Sequence, residues 1–192
     1  MTAWTVRLQP DAPRESIRPI FLVKIVYWLY NSQNLFMSET YFILQYVQPG
    51  LLGLMDGSVS TLAPLFAAAF ATQSAHIAFL IGLSAAIGAA ISMGFAEALS
   101  DNGVHTGRGH PFRRGLITGF MTFFGGILHT LPFLLGNLHQ ALYLAYFIVG
   151  IELITIAYIR NRYFKMSFAL SVVQVVFGGL LVLLAGALIG SA

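Results

Sequence analysis

Residues 167–190 read SFALSVVQVVFGGLLVLLAGALIG, without one charged side chain. A helix rises 1.5 Å per residue, so about 20 apolar residues suffice to cross the hydrocarbon core of a bilayer. The run therefore predicts a transmembrane helix. Toward the N-terminus four more apolar stretches precede it, over residues 51–72, 76–99, 115–135 and 140–158. The joining segments are short, notably residues 73–75 and 136–139. The expected fold is all-α: a polytopic membrane protein with five transmembrane helices in one bundle over residues 45–192. Residues 1–44 form a separate cytoplasmic or interfacial segment.

Composition agrees with this reading. Of 192 residues, 57% are hydrophobic and only 9% charged, against about 25% charged in a typical soluble domain. Mean hydropathy is +0.78. So few charges cannot cover so much apolar surface in water. A soluble enzyme, a nucleic-acid module and a disordered tail are excluded. The chain has no cysteine, so disulfides, thiolate metal sites and cysteine nucleophiles are excluded too.

The ten basic residues set the orientation. Arg7, Arg14, Arg18 and Lys24 precede the first span, Arg108, Arg113 and Arg114 lie between the second and third, and Arg160, Arg162 and Lys165 lie between the fourth and fifth. The alternate connections have none. The positive-inside rule then places the N-terminus in the cytoplasm and the C-terminus outside the cell inner membrane. Residues 17–30 are apolar but short and contain Lys24. They predict an interfacial helix, with Tyr27, Trp28 and Tyr30 at headgroup level. Residues 38–48 predict a further helix, broken or kinked at Pro49-Gly50.

Charged groups at membrane depth are costly and mark functional positions. Three acids qualify: Asp56, Glu97 and Glu152. No Lys or Arg falls inside a predicted span to neutralise them. Counted along the helices, Asp56 lies about 8 Å inside the cytoplasmic end of its span, Glu152 about 10 Å, and Met93 and Met121 about 9 Å. Glu97 stands one turn nearer the cytoplasm than Met93 on the same helix face. Carboxylates supply charge and hard oxygen, and thioethers a soft donor, a combination suited to Fe²⁺ and neighbouring ions rather than to Mg²⁺ or Ca²⁺. Methionine is also an ordinary gap-filler of apolar cores, and Glu152 an ordinary hydrogen-bond acceptor. His129 falls in the outer half of the third span and suits either a proton or exit pathway or, equally, a hydrogen-bonded core histidine. His105 and His110 lie in the loop before Pro111. Small residues at Gly88-x-x-x-Ser92, Gly115-x-x-x-Gly119 and Gly186-x-x-x-Gly190 permit close helix approach and allow a dimer.

Two stretches carry a resemblance. GLMDGSVSTLAPLF, residues 53–66, and GAAISMGFAEALSD, residues 88–101, resemble the first- and second-helix motifs of the vacuolar iron transporter (VIT) family. The likeness continues through TGRGHPFRRGLITGFMTFFGGILHTLPFLL, residues 106–135. There it looks most like the membrane half of the membrane-bound ferritin (erythrin–VIT) proteins, and it covers about residues 45–192. The resemblance implies a five-helix homodimeric carrier moving Fe²⁺, and often Mn²⁺, out of the cytoplasm in exchange for protons. Asp56 and Met93 match the residues that line the path in that family, and Glu97 matches its second-helix acid. The loop of residues 102–112 has no acid, where eukaryotic members insert a Glu-rich domain, and the N-terminal segment has no Glu-x-x-His ferritin motif.

The expected function is divalent transition-metal export by proton antiport, with Asp56, Met93, Glu97, Glu152 and Met121 as metal ligands. The expected partners are the metal ion as substrate, protons, the bilayer and a second copy. No resident cofactor, nucleic acid or enzymatic reaction is expected. The rival reading is a non-transporting membrane subunit that binds a partner helix through Glu97 and Glu152. An intramembrane enzyme is disfavoured because the acids and His129 count to different depths and form no nucleophile–base pair.

Overall fold

A computed structural model describes residues 38–103 and 106–192 of the chain. The interfacial helix expected over residues 17–30 lies outside the described residues, as do Arg7, Arg14, Arg18, Lys24 and His105. Residues Thr40–Ala192 form one unit. It is all-α, and no strand occurs among the described residues.

The first membrane segment is helical from Ser38 to Thr72. A π-helical turn at Ile43–Val47 leads into α1, Gln48–Ser60, and after Thr61 into α2, Leu62–Thr72. Of the break or kink expected at Pro49, the break does not occur. A proline ring crowds the carbonyl four residues back and offers it no N–H. Here that carbonyl belongs to Gln45, inside the π turn, where Gln48 N–H bonds Ile43 O. The wider turn makes room for the ring. The interruption falls at Thr61 instead, because Pro64 has no N–H for the carbonyl of Ser60.

Left-handed Gln73 (φ 51°) ends α2. Ser74 then caps α3, Ala75–Ser100, accepting the Ile77 N–H at 3.4 Å. Pro111 begins α4, Pro111–Leu128, at a position where its missing N–H costs nothing. Pro132 cannot bond the carbonyl of Leu128, so α4 ends there, and a 3-10 turn, Leu131–Leu135, follows. Asn137 caps α5, Leu138–Phe164, and α6 spans Phe168–Gly190.

Among the described residues, four helices are long and apolar enough to cross a membrane: Ser38–Thr72, Ala75–Ser100, Leu138–Phe164 and Phe168–Gly190. The expected third span is shorter than predicted. Its helix, α4, has 18 residues, with Arg113 and Arg114 in its first turn.

Helix α4 packs against α1 on one side and α3 on the other. The closeness comes from glycine. A methyl group on Gly53 or Gly57 of α1 would collide with the backbone carbonyls of Thr118 or Thr122. Gly115 and Gly119 meet Ala90, Gly94 and Ala98 of α3, and Gly186 and Gly190 of α6 meet Ala63 and Ala67 of α2. The first of the three expected motifs behaves differently. Gly88 has nothing within 4 Å of where a side chain would begin, and Gly88 and Ser92 are exposed. Leu62, Leu65, Phe66 and Ile156 are fully buried in the core between these contacts.

Candidate functional site

The three intramembrane acids have three different environments. Glu97, on the last turn of α3, is buried, and its Oε1 accepts Nη2 of Arg108 at 2.6 Å and Nε of Arg114 at 2.8 Å. Asp101, one turn on, accepts Arg108 Nη1 at 3.0 Å and Arg114 Nη1 at 3.1 Å. Arg114 also donates to Ser100 Oγ at 3.3 Å and is itself fully buried. The expectation that no arginine neutralises these acids is therefore wrong. Pro111 starts α4 earlier than the apolar pattern did, which makes Arg114 the fourth helical residue and turns it inward. The i, i+4 pair Glu97 and Asp101, facing two arginines across one short loop, was the available signal. In this structure the Glu97 carboxylate is already paired with two guanidinium groups. Burial pushes the Asp101 carboxyl up, but hydrogen bonds from Arg114, the Gly103 N–H and Arg108, with the Arg114 charge, hold it net below the usual carboxylate range.

Glu152 is buried at the middle of α5, and its Oε2 lies 3.1 Å from His129 Nδ1. His129 Nε2 lies 2.7 Å from Thr61 Oγ1, and the Thr61 hydroxyl donates to Gly57 O at 2.8 Å. His129 and Thr61 are fully buried. The expectation that Glu152 and His129 stand at different depths is overturned. Helix α5 runs on to Phe164, beyond the apolar stretch counted at residue 158, so Glu152 stands deeper than that count implied. Glu152 thus pairs with a histidine and not with Met93, Met121 and Asp56 at one level.

Asp56 is the remaining acid. It is half-buried on α1, and among the described residues its hydrogen-bond partner is the Ser60 hydroxyl, at 3.5 Å. Met121 lies beside Gly50, and Gly94, the neighbour of Met93, packs on Gly115 and Gly119. Since Gly53 faces Thr118 and Thr122, both partly buried methionines lie between Asp56 and the arginine-bearing start of α4 along the helices. Along the bundle from that end, the order is the Glu97–arginine network, the two methionines, Asp56, then the Glu152–His129 pair. Among the described residues, no three His, Asp or Glu side chains converge as a metal site.

These features define a multi-pass helical membrane protein with acids inside its bundle. The sequence model of the VIT family matches residues 98–191, and over that stretch the chain is similar to that family. The match points to metal-ion transport across a membrane. Asp56, Met93 and Glu97 precede the matched stretch. No curated protein and no solved structure matches the chain.

Proposed function

We propose that the protein exports a divalent transition metal, Fe²⁺ or Mn²⁺, from the cytoplasm in exchange for protons. It does so as a five-span homodimer in the cell inner membrane, with the N-terminus inside and the C-terminus outside. It performs no chemistry on its substrate. One observation carries the reading: Asp56 is the intramembrane acid left without an arginine or histidine partner among the described residues, on a helix interrupted close by at Thr61. Interrupted helices beside an acid are a recurrent ion site in transporters. Met93 and Met121 supply soft donors on the cytoplasmic approach, and a metal and a proton compete for the Asp56 oxygens. The exposed small residues Gly88 and Ser92, unused inside the chain, support close approach of a second copy. The rival subunit reading loses its basis, because Glu97 and Glu152 are both buried and paired within this chain. The test is Mn²⁺ and Fe²⁺ uptake by sealed inside-out vesicles with and without a pH gradient. Gradient-driven uptake that Asp56→Asn abolishes supports the reading; equal uptake by wild type and empty vesicles sinks it.

A further inference from the structure

At the end of the bundle where α4 begins and α5 ends, a row of arginine and aromatic side chains joins the first helix, α4 and α5. Arg113, in the first turn of α4, donates Nη1 to the Tyr46 hydroxyl at 3.0 Å, and its guanidinium carbon lies 5.9 Å from the centre of the Tyr46 ring. Tyr46 stacks on Phe42, one turn earlier in the first helix, with ring centres 5.8 Å apart. Phe42 meets Tyr163 of α5 at 6.4 Å, and the Arg162 guanidinium lies 5.5 Å from the Tyr163 ring centre. Phe42, Tyr46, Arg113 and Arg162 are exposed. The row stands where the apolar run of α5 gives way to Arg160 and Arg162. In a membrane that boundary is headgroup depth, the level that tyrosine rings favour.

The positive charge here is uncompensated. Arg108 and Arg114 are paired with Glu97 and Asp101, but among the described residues neither Arg113 nor Arg162 has a carboxylate partner. Lys165 adds another charge beside Arg162, donating Nζ to the Arg162 carbonyl at 3.2 Å. The guanidinium groups also keep donors to spare. Arg113 spends Nη1 on Tyr46 and keeps its other N–H groups, and the contact of Arg162 with Tyr163 engages the ring face and uses up no donor. A guanidinium fork with free N–H groups suits a phosphate. The exposed ring beside it suits something apolar. Together they describe an anion that carries its own hydrocarbon. A zwitterionic lipid brings a cation as well, which these arginines repel.

We propose that this row binds anionic phospholipids of the surrounding membrane, with Arg113 and Arg162 each holding a headgroup phosphate and Phe42 and Tyr163 lying against the glycerol and the first methylenes. Basic clusters at helix ends are a recurrent anionic-lipid site. Such binding requires a bilayer and not transport. A lipid seated here bridges the first helix, α4 and α5, so it stabilises their packing in proportion to its occupancy.

The test is thermal unfolding of the purified full chain in detergent micelles doped with phosphatidylglycerol or with phosphatidylcholine, and in phosphatidylcholine micelles with inorganic phosphate added. Phosphatidylglycerol should raise the unfolding temperature by about 2–4 °C over phosphatidylcholine, and inorganic phosphate should not. The increment is read within each protein, so a variant's own loss of stability cancels. Arg113→Gln and Arg162→Gln should each lose part of the increment, and the double variant nearly all of it. Arg162→Gln carries the test should Arg113→Gln not fold, since the Arg162 guanidinium makes no hydrogen bond to the chain among the described residues. A wild type equally stable in both lipids overturns the proposal, as do variants that keep the full increment. An equal rise with inorganic phosphate would make the row a site for free anions and overturn the lipid assignment.

Discussion

Arg114, fully buried, donates its Nε to Glu97 Oε1 at 2.8 Å across the α3–α4 contact. Two acids and two arginines close this network, Glu97 and Asp101 with Arg108 and Arg114. It ties the start of α4 to the end of α3.

Removing one partner leaves a buried charge without compensation. Arg114→Gln should destabilise the protein by about 3–5 kcal/mol, the usual cost of breaking a buried ion pair. Arg114→Lys should recover only part, since an ammonium cannot serve Glu97, Asp101 and Ser100 from one planar fork. Thermal unfolding in detergent, followed by circular dichroism, measures both. An Arg114→Gln protein as stable as wild type would show that the network is not part of the fold.

Asp101 gives the network a pH dependence of definite sign. Its folded carboxyl lies below the usual range, so the unfolded chain binds the proton more readily. The stabilisation is complete above the unfolded value, about 3.9, and is lost as pH falls through the folded value. The unfolding temperature should fall on that acid limb in wild type, and less steeply in Asp101→Asn. Parallel limbs would contradict the assignment.

Asp56→Asn keeps the shape of the side chain but removes its charge, and metal flux should fall to the level of empty vesicles. Met93→Leu keeps volume and removes sulfur, so it should slow Fe²⁺ more than Mn²⁺, which has less use for a soft donor. Initial rates for both metals at several external pH values decide. Equal loss for both metals would make Met93 a packing residue.

Gly57→Ala places a methyl group against the Thr122 carbonyl. Overpacking of this kind costs about 1–3 kcal/mol, and α1 should separate from α4. Gly88→Ala meets nothing inside the chain, so monomer stability should hold while dimer formation weakens. Thermal unfolding and light scattering in detergent separate the two effects.

The sequence by itself determined the class of this protein. Runs of apolar residues cannot be solvated, so they declare helices in a bilayer wherever they occur, and the spans found at Ala75–Ser100 and Phe168–Gly190 nearly coincide with the apolar stretches. Asp56, Glu97 and Glu152 stood out for the same reason, as charges where charge is costly. Their partners were decided only by tertiary structure. Hydropathy ends a span at the first arginine, whereas a helix ends where its backbone hydrogen bonds run out. Pro111 therefore carried Arg114 into the bundle, and the extension of α5 to Phe164 brought Glu152 to His129. Depth counted along single helices treats them as aligned rods of known ends. Which side chains meet depends instead on how far each helix extends and how glycines let neighbours slide together, and that is set by packing between segments distant in the chain.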